Sequence, residues 1–253
     1  MNGHGESSGR TFVRFTASQR VEHFVNIFGF FGLCLTGIPQ RFNGAAWADG
    51  MIQAMGGIDV VRGMHRTFGA LLIVETAYHF VAMGYVLAVK KARWSMMPGL
   101  QDLRDAGQMI KYFLFLRKER ARFDRYDFRQ KVEYLALIWG TFLMIATGLA
   151  MWFPIETVTY LPGEIIPASK AAHGGEGLLA FASILLWHMY SAHLSPDVFP
   201  FDWTIFNGKI TEERMHHEHP IELERLLAEE HTKAEAGNPT PTAASPKPEV
   251  EST

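Results

Sequence analysis

Two apolar stretches of this sequence each carry a pair of histidines separated by about four helical turns. His65 and His79 lie fourteen residues apart, and His173 and His188 lie fifteen apart. In an α-helix, such a spacing covers roughly 21–22 Å and leaves the two side chains roughly 40–60° apart around the axis. Each segment can therefore place two imidazoles on one face, as far apart as two stacked haems require.

The simplest alternative is that each histidine is a hydrogen-bonded packing residue between helices. Histidine in hydrocarbon is costly, however, and usually faces a bundle interior where it has a function. Both segments also place a glycine four residues after their first histidine, Gly69 and Gly177. A glycine at that position removes the side chain that would collide with a flat macrocycle. The repetition of this pattern favours haem ligation over packing alone.

The average composition of the chain hides its membrane character. Its 253 residues are 48% hydrophobic and carry a formal net charge of −2. The apolar residues are nevertheless gathered into four blocks, each of about the 20 residues that cross a bilayer as a helix. These blocks are residues 21–38, 64–89, 132–153 and 171–194. The sequence therefore predicts an all-α protein of the cytoplasmic (inner) membrane, whose residues 20–195 form a four-helix transmembrane bundle.

The charges between the blocks predict the orientation of the bundle. The segment 90–131 carries twelve lysines and arginines, whereas the connections 39–61 and 154–172 carry one each. By the positive-inside rule, this basic segment and both chain termini are cytoplasmic. The cytoplasmic parts beyond the bundle are predicted to be an N-terminal segment (1–19), a docking segment (196–235) and a disordered tail (236–253).

The ends of the blocks indicate a weak internal repeat. Block one ends with Thr36-Gly37 and block three with Thr147-Gly148, while blocks two and four share the histidine spacing. The pattern is that of a two-plus-two repeat. In this topology His65 and His173 open their blocks at the outer face and can meet across one haem. Two partners compete for His188 near the inner face, namely His23 in block one and His79 in block two.

Several short motifs, taken in order, resemble those of a known family. They are Arg20-Val-Glu-His23 with Thr36-Gly37, His65 at the start of block two, Tyr126-Asp-Phe-Arg-Gln-Lys131, His173, and His188-Met-Tyr190. Their order and spacing resemble the di-haem cytochrome b subunits of bacterial membrane-bound formate dehydrogenases, and the related subunits of nickel–iron hydrogenases and thiosulfate reductases. The resemblance covers about residues 10–227.

The resemblance implies two bis-histidine haems b. The outer haem would be held by His65 and His173, and the inner haem by His23 and His188. This chain departs from the simplest family pattern by also having His79 and His193. The internal repeat would instead pair His79 with His188, as in the cytochrome b of bc complexes. The spare histidines leave a third haem open, although His193 lies roughly 140° around the helix from His188 and is expected to be a packing residue.

The resemblance also implies a site for menaquinone or ubiquinone beside the inner haem, where the chain enters block three. This segment contains Asp127, Arg129 and Gln130, with Asp127 where the family has an amide and Arg129 where it has a small residue. Quinone chemistry moves protons as well as electrons, so a titratable group is expected nearby. Glu75, one turn before His79, is a further candidate for that role.

These inferences predict a membrane-anchoring cytochrome b subunit. It would transfer electrons between an iron–sulfur or haem subunit of a larger oxidoreductase and the quinone pool, because a bis-histidine haem has no open iron position for a substrate. Chemistry on a substrate is expected only at the quinone, and the partners are protein subunits, quinone and membrane lipid, with no nucleic acid. One alternative oxidises quinol and feeds a reductase or a multihaem partner. Another is a haem-free transporter whose histidines and Glu75 form a proton path.

Overall fold

Helices form most of the structure, a computed structural model that describes residues 9–196 and 198–237. In chain order, the helices of the bundle and its connections are α1 (Ala17–Arg41), α2 (Ala46–Ala54), α3 (Ile58–Ala88), α4 (Leu100–Phe113), α5 (Phe128–Trp152), α6 (Pro154–Tyr160) and α7 (Ile165–Ala182). Two π-helical segments, Ser183–His188 and Tyr190–Leu194, continue the direction of α7. Residues predicted to form the disordered tail lie, from 238 onward, outside the described residues.

Four of these elements are long and apolar enough to cross a membrane: α1, α3, α5, and α7 with its π-helical extension to Leu194. They match the four predicted blocks, and each begins four to six residues before its block. Large apolar side chains lie exposed on their outer surfaces, among them Phe31, Val81, Trp139 and Leu186. Lipid tails satisfy such surfaces, whereas water does not. The chain is therefore an integral membrane protein with four spans.

Two of the spans begin with the same N-terminal cap. Thr16 precedes α1 and exchanges hydrogen bonds with Gln19, and Asp127 precedes α5 and exchanges hydrogen bonds with Gln130. This reciprocal pairing satisfies two backbone N–H groups that the first helical turn leaves without partners. The two caps start their spans at the same end of the bundle, which we call the terminal end because both ends of the described chain pack there.

The spans pack in two pairs, α1 on α3 and α5 on α7. Glycine allows the close approach within the first pair: a Cβ atom at Gly29 would lie 2.5 Å from Leu72, and one at Gly32 would lie 2.5 Å from Phe68. Small residues at such contacts are the usual means by which membrane helices approach each other. Further contacts join α1 to α7 and α3 to α5, so the two pairs enclose a common interior.

A small layer of helices and two strands, which we call the terminal layer, covers the terminal end of the bundle. It contains β1 (Thr11–Val13), α8 (Thr204–Asn207), β2 (Lys209–Thr211), α9 (Glu212–Glu218) and α10 (Pro220–Gly237). The two strands pair antiparallel, with Phe12 opposite Ile210. The all-α prediction missed this small sheet, because each strand has only three residues and its partner lies about 200 positions away in the chain.

Buried charges join the terminal layer to the start of α5. Arg14 donates to Glu222 at 2.6 Å, and Arg125 donates to the other oxygen of Glu222 at 2.7 Å. Burial, together with the adjacent Arg14 guanidinium, lowers the pKa of His219 to about 4. His219 is therefore neutral at pH 7, so its Nε2 can accept from Arg14 while its Nδ1–H donates to the Asp124 carbonyl.

Loss of the buried Arg14 side chain is expected to destabilise the terminal layer strongly. The Arg14→Ala change leaves Glu222, which is only 2% exposed, with one fewer cation. Breaking one partner of a buried pair typically costs about 3–5 kcal/mol. The loss of stability would be measured by denaturant unfolding, with the susceptibility of residues 198–237 to limited proteolysis as the readout. The matched control is Arg10→Ala, which removes an exposed pair with Glu230 and should change little; equal effects of the two changes would contradict the prediction.

Candidate functional site

The structure brings His65 of α3 and His173 of α7 together at the end of the bundle opposite the terminal end, which we call the far end. Their ring centroids lie 6.2 Å apart, and their planes cross at 71°. A metal–imidazole bond is about 2 Å long, so two such bonds in line plus the radii of two rings come to roughly 6 Å. The spacing of this far pair is that of two axial ligands on opposite sides of one iron.

Matching hydroxyls orient the two imidazoles of the far pair. Thr36 Oγ1 lies 2.9 Å from His65 Nδ1, and Thr147 Oγ1 lies 3.0 Å from His173 Nδ1. Each hydroxyl also donates to a carbonyl of its own helix, Gly32 or Leu143, and therefore accepts from the imidazole N–H. The Nε2 atoms are thereby left with their lone pairs available for a metal.

The glycines that follow these threonines leave room for the rings. A Cβ atom at Gly37 would lie 2.9 Å from His65 Cε1, and one at Gly148 would lie 3.2 Å from His173 Cε1. The Thr-Gly motif seen in the sequence at the ends of blocks one and three thus has one role in both places. Its threonine holds the imidazole of the facing helix, and its glycine makes space for that imidazole.

A second histidine pair lies at the terminal end of the bundle. The rings of His23 on α1 and His188 have centroids 6.2 Å apart, the same separation as in the far pair, with planes tilted by 40°. His188 Nδ1 lies 2.7 Å from Glu133 Oε1 on α5. His23 Nδ1 is buried and has no hydrogen-bond partner among the described residues. We call His23 and His188 the terminal pair.

His79 lies at a similar depth but has different neighbours. Its Nδ1 lies 2.8 Å from Glu22 Oε2, and its Nε2 lies 2.9 Å from the Tyr134 hydroxyl. Both ring nitrogens are therefore already hydrogen-bonded. An iron ligand at this position would have to displace the tyrosine. The structure consequently brings His23, and not His79, into a ligand-like position opposite His188.

These side chains follow an internal repeat that is stronger than the sequence analysis recognised. Pairs of identical residues on α1 and α5 lie 111 positions apart; they are Gln19 and Gln130, Glu22 and Glu133, Gly29 and Gly140, Thr36 and Thr147, and Gly37 and Gly148. In the same register His23 corresponds to Tyr134. Glu22 with His79 is thus the counterpart of Glu133 with His188. The roles of both glutamates and of Tyr134 were not predicted from the sequence, although this constant offset indicates them.

The π-helical segment Ser183–His188 keeps the two halves in register. A π-helical turn takes up one residue more than an α-helical turn. His173 and His188 are separated by fifteen residues, whereas their counterparts His65 and His79 are separated by fourteen. The additional residue in α7 is therefore absorbed, so each histidine faces its glutamate or threonine partner.

The four tentative quinone residues fall in two places. Asp127 is buried and accepts two hydrogen bonds from Arg129, at 2.6 and 2.9 Å, while it also forms the cap of α5 with Gln130. Arg129 lines a small cavity of about 80 Å³ together with Trp187, Tyr190, Ser191 and Ser195. Glu75 lies elsewhere, in a groove of about 530 Å³ between α1 and α3. The structure thus brings three of the four residues together and separates Glu75 from them.

The additional histidine His193 packs against the loop before α8. Its ring stacks on Phe201 with centroids 4.2 Å apart and planes within 8° of parallel. Its Nδ1 lies 3.4 Å from the backbone N–H of Asp202. Both contacts join the end of the fourth span to the terminal layer, which is a packing role.

The histidine pairs fit haem b in their donor chemistry as well as in their spacing. Each pair comes from two different spans and points into the shared interior. A Cβ atom at Gly69, four residues after His65, would have no neighbour within 4 Å, whereas one at the matching Gly177 would lie 3.6 Å from Met144 Cε.

Comparison with known proteins agrees with this arrangement. Residues 14–196 match the family model described as prokaryotic cytochrome b561, and this range is more than half of the chain. The chain belongs to this family. As in other cytochromes b, haem b is therefore the cofactor that the family implies, and the matched range contains all four spans and both histidine pairs.

The individual relatives of this cytochrome b561-family chain share less than a quarter of their residues with it. It is 23% identical over 186 residues to the cytochrome b556(Fdn) subunit of the nitrate-inducible formate dehydrogenase of Escherichia coli K12, covering 74% of this chain and 79% of that protein. It is 24% identical over 184 residues to the cytochrome b556(fdo) subunit of a formate dehydrogenase of the same strain, covering 72% and 79%. The formate dehydrogenase cytochrome b556 subunit of Haemophilus influenzae is 22% identical over 187 residues, covering 74% and 72%.

Removing the hydroxyls of the far pair is expected to weaken cofactor binding in this cytochrome. Thr36→Val and Thr147→Val keep the side-chain shape but remove the acceptor for a histidine N–H. Loss of such a partner typically costs about 10–100-fold in metal affinity, so the ratio of haem to polypeptide should fall during purification if the far pair binds haem. Thr67→Val is the control, because Thr67 donates only to its own helix at Gly63. The ratio of haem to polypeptide measures the effect; retention of full haem by both test variants would contradict it.

Proposed function

We propose that this chain is a di-haem cytochrome b subunit that transfers electrons across the membrane, between a partner oxidoreductase and the quinone pool. The observation that carries the proposal is the pair of histidine sites, one toward each end of the bundle, with the same 6.2 Å ring separation. His65 and His173 would hold one haem b, and His23 and His188 the other. The family membership supports haem b as the cofactor.

The terminal pair is assigned to His23 rather than to His79 on the contacts of each ring. Both nitrogens of His79 are occupied by Glu22 and Tyr134, whereas the ring of His23 faces His188. The alternative pairing of His79 with His188 has one argument in its favour, since both of these histidines have a glutamate partner at Nδ1. That alternative requires Tyr134 to move away, and we therefore place it second.

When bound, a bis-histidine haem supplies one-electron transfer without an open iron position for substrate. The side chains of this protein hold and orient the imidazoles that ligate it. Thr36 and Thr147 fix the tautomers of the far pair, and Glu133 accepts the N–H of His188. A carboxylate partner raises the basicity of a ligating imidazole more than a hydroxyl does. The two sites therefore differ in the basicity of their imidazoles, and this difference should give their haems different reduction potentials.

We further propose that the terminal end faces the cytoplasm. The segment 90–131, with its twelve lysines and arginines, lies at this end, as do the buried ion pairs of the terminal layer. Positive charge near span ends marks the cytoplasmic side. The far pair is then the outer haem site, and the terminal pair is the inner haem site.

Quinone exchange is assigned to the terminal end of α5 and α7. Arg129 lines the cavity there, and Asp127 holds the Arg129 guanidinium in place through two hydrogen bonds. A guanidinium can donate to a quinone carbonyl oxygen, and the Tyr190 and Ser191 hydroxyls lie around the same space. Gln130 supports the site indirectly, through the cap that fixes Asp127.

The relatives point to the kind of complex that the chain joins. Those compared above are cytochrome b556 subunits of formate dehydrogenases. We propose that this chain anchors a comparable oxidoreductase and exchanges electrons with its iron–sulfur or haem subunit. The docking segment predicted over residues 196–235 forms most of the terminal layer, and we place the contact with such a subunit there. The haem-free transporter considered from the sequence is disfavoured, because the family is one of cytochromes.

Quinol-driven reduction of the purified protein tests this function. Protein in lipid nanodiscs would be mixed anaerobically with menaquinol or ubiquinol, and haem absorbance would be recorded by stopped-flow spectroscopy. We expect reduction by quinol, slowed roughly ten-fold by Arg129→Gln, which removes a charged hydrogen-bond donor. Arg104→Gln on the exposed side of α4 is the control. Haems that dithionite reduces but that neither quinol reduces would overturn the proposal.

A further inference from the structure

The groove between α1 and α3 overlaps, in the internal repeat, part of the position of the Arg129 cavity on α5 and the fourth span. Ser18 and Tyr78 line the groove, and in the repeat they correspond to Arg129 and Trp187. Arg129 and Trp187 both line the cavity at the terminal end. The repeat that relates Glu22 to Glu133 and His79 to His188 thus also relates one edge of each space. The first half of the bundle therefore has a larger space that overlaps the repeat position of the Arg129 cavity.

The groove has the dimensions and the entrance of a site for a lipid-soluble molecule. Its volume of about 530 Å³ is within the range of roughly 300–1,000 Å³ that small-molecule sites occupy. Its apolar walls are formed by Ala17, Val21, Val25, Leu71 and Val74. Val21 is 62% exposed and Val74 is 68% exposed on the surface of the spans, so the groove opens sideways toward lipid.

Polar groups are concentrated along one part of this groove. Glu22 and Glu75 line it, and their carboxylate oxygens lie with a nitrogen of His79 within 4.8 Å of one another. Ser18 donates to Glu22 at 2.9 Å, and its oxygen lies 3.1 Å from the Tyr78 hydroxyl. A lipid acyl chain cannot hydrogen-bond to these groups, and a polar group held against hydrocarbon without a partner costs free energy. The polar part of the groove therefore favours an occupant with polar groups of its own.

We propose that this groove binds the head group of a quinol, with Glu75 and the Ser18–Tyr78 hydroxyl pair as its hydrogen-bonding partners. A quinol has a flat apolar ring with a hydroxyl at each end, so it needs acceptors within a narrow apolar slot. Its isoprenoid tail leaves between Val21 and Val74 into the bilayer. This inference rests on the proposed function, since it adds a second quinol site to a quinone-linked cytochrome.

The position of the groove relates this site to the inner haem site. Glu22 lines the groove, and the next residue along α1 is His23 of the terminal pair. On the other side of the cluster, Tyr134 connects His79 to α5. A quinol in the groove would therefore lie beside the histidine pair on the side away from Arg129. The two quinone-type sites would flank one haem site, one in each half of the repeat.

Photoaffinity labelling of the complete holoprotein tests the proposal. The probe is a photoreactive azidoquinone that is reduced to its quinol in nanodiscs, and labelled peptides are mapped by mass spectrometry. We expect labelling within residues 17–25 and 71–78 in addition to labelling near Arg129. Excess unlabelled quinol should abolish both. Val74→Trp fills the mouth of the groove and should lower the groove labelling roughly ten-fold, the loss expected when a bound head group is excluded.

A matched variant separates occlusion of the groove from a general effect on the helix. Val81→Trp places the same side chain on α3 at a valine of similar exposure, 73% against 68%, that does not line the groove. It should leave labelling unchanged. Glu75→Gln retains the shape of the groove and should weaken labelling by the quinol form more than by the quinone form, because a carboxylate accepts two hydrogen bonds and donates none.

Failure of the second quinol site can be distinguished from failure of the proposed function. Labelling confined to the Arg129 cavity, while quinol still reduces the haems, overturns the second site and leaves the proposed function standing. Groove labelling that excess quinol does not displace shows general lipid occupancy and also overturns it. A protein whose haems are not reduced by quinol contradicts the proposed function itself.

Discussion

Replacement of His173 by alanine is expected to remove one of the two proposed haems and to stop the proposed electron transfer across the bundle. His173 faces His65 at 6.2 Å, and Thr147 orients its ring, so the far site loses an axial ligand. Electron transfer from an external reductant to quinone should fall by more than about 100-fold, because loss of one site leaves a gap of roughly 20 Å along the spans. Redox titration of the haem absorbance should change from two components to one.

The control for this variant is His193→Ala. His193 is also on the fourth span, but its ring stacks on Phe201, with centroids 4.2 Å apart, and not on a ring of either histidine pair. This change should preserve both haems and the titration of both components. If His173→Ala retained both components, the far pair would not be a ligand pair.

Replacement of His23 by alanine is expected to remove the haem proposed at the terminal pair, whereas replacement of His79 is expected to leave it in place. His23 faces His188 and its Nδ1 has no hydrogen-bond partner among the described residues, whereas His79 is bonded through both nitrogens to Glu22 and Tyr134. Low-temperature electron paramagnetic resonance of the oxidised protein should show one low-spin haem signal in the first variant and two in the second.

The reverse pattern would identify His79 as the ligand. The Tyr134→Phe change sharpens this comparison, because it frees His79 Nε2 without touching His23. Under the present assignment, Tyr134→Phe retains the wild-type signals of both haems. A shift of the inner signal in Tyr134→Phe, together with its loss in His79→Ala, would make the internal repeat the correct guide to the ligands.

The spans and the far pair were predictable because each depends on a local pattern. An apolar block of about 20 residues predicts a span whatever its neighbours are. Histidines fourteen or fifteen residues apart face one side of such a span. The pairing of His65 with His173 then needed only the topology, since both begin their spans at one face of the membrane.

The environment of His79 depends on side chains from three different helices and could not be read from spacing. Glu22 comes from α1, Tyr134 from α5 and His79 from α3. Helix spacing gives the depth of a residue and its face, but it does not decide which of two neighbouring helices supplies a contact. The constant offset of 111 positions between Glu22 and Glu133 is the signal in the sequence that indicates these contacts.

The terminal layer was the part least accessible from the sequence. Its strands, Thr11–Val13 and Lys209–Thr211, have too few residues for a period-two pattern to be visible. The buried pair of Arg14 and Glu222 joins residues more than 200 positions apart. The basic residues before α1 were explained well enough by topology alone, so nothing in the sequence distinguished the buried Arg14 from an ordinary positive-inside charge.

The most direct test of the central claim is the number of haems b bound to each purified wild-type polypeptide. Pyridine haemochrome absorbance gives the haem concentration, and amino-acid analysis gives the concentration of the polypeptide. The two histidine pairs predict a ratio of two. A ratio of zero would contradict the assignment of the chain as a cytochrome, and a ratio of three would mean that the cluster of Glu22, His79 and Tyr134 is rearranged around a further haem.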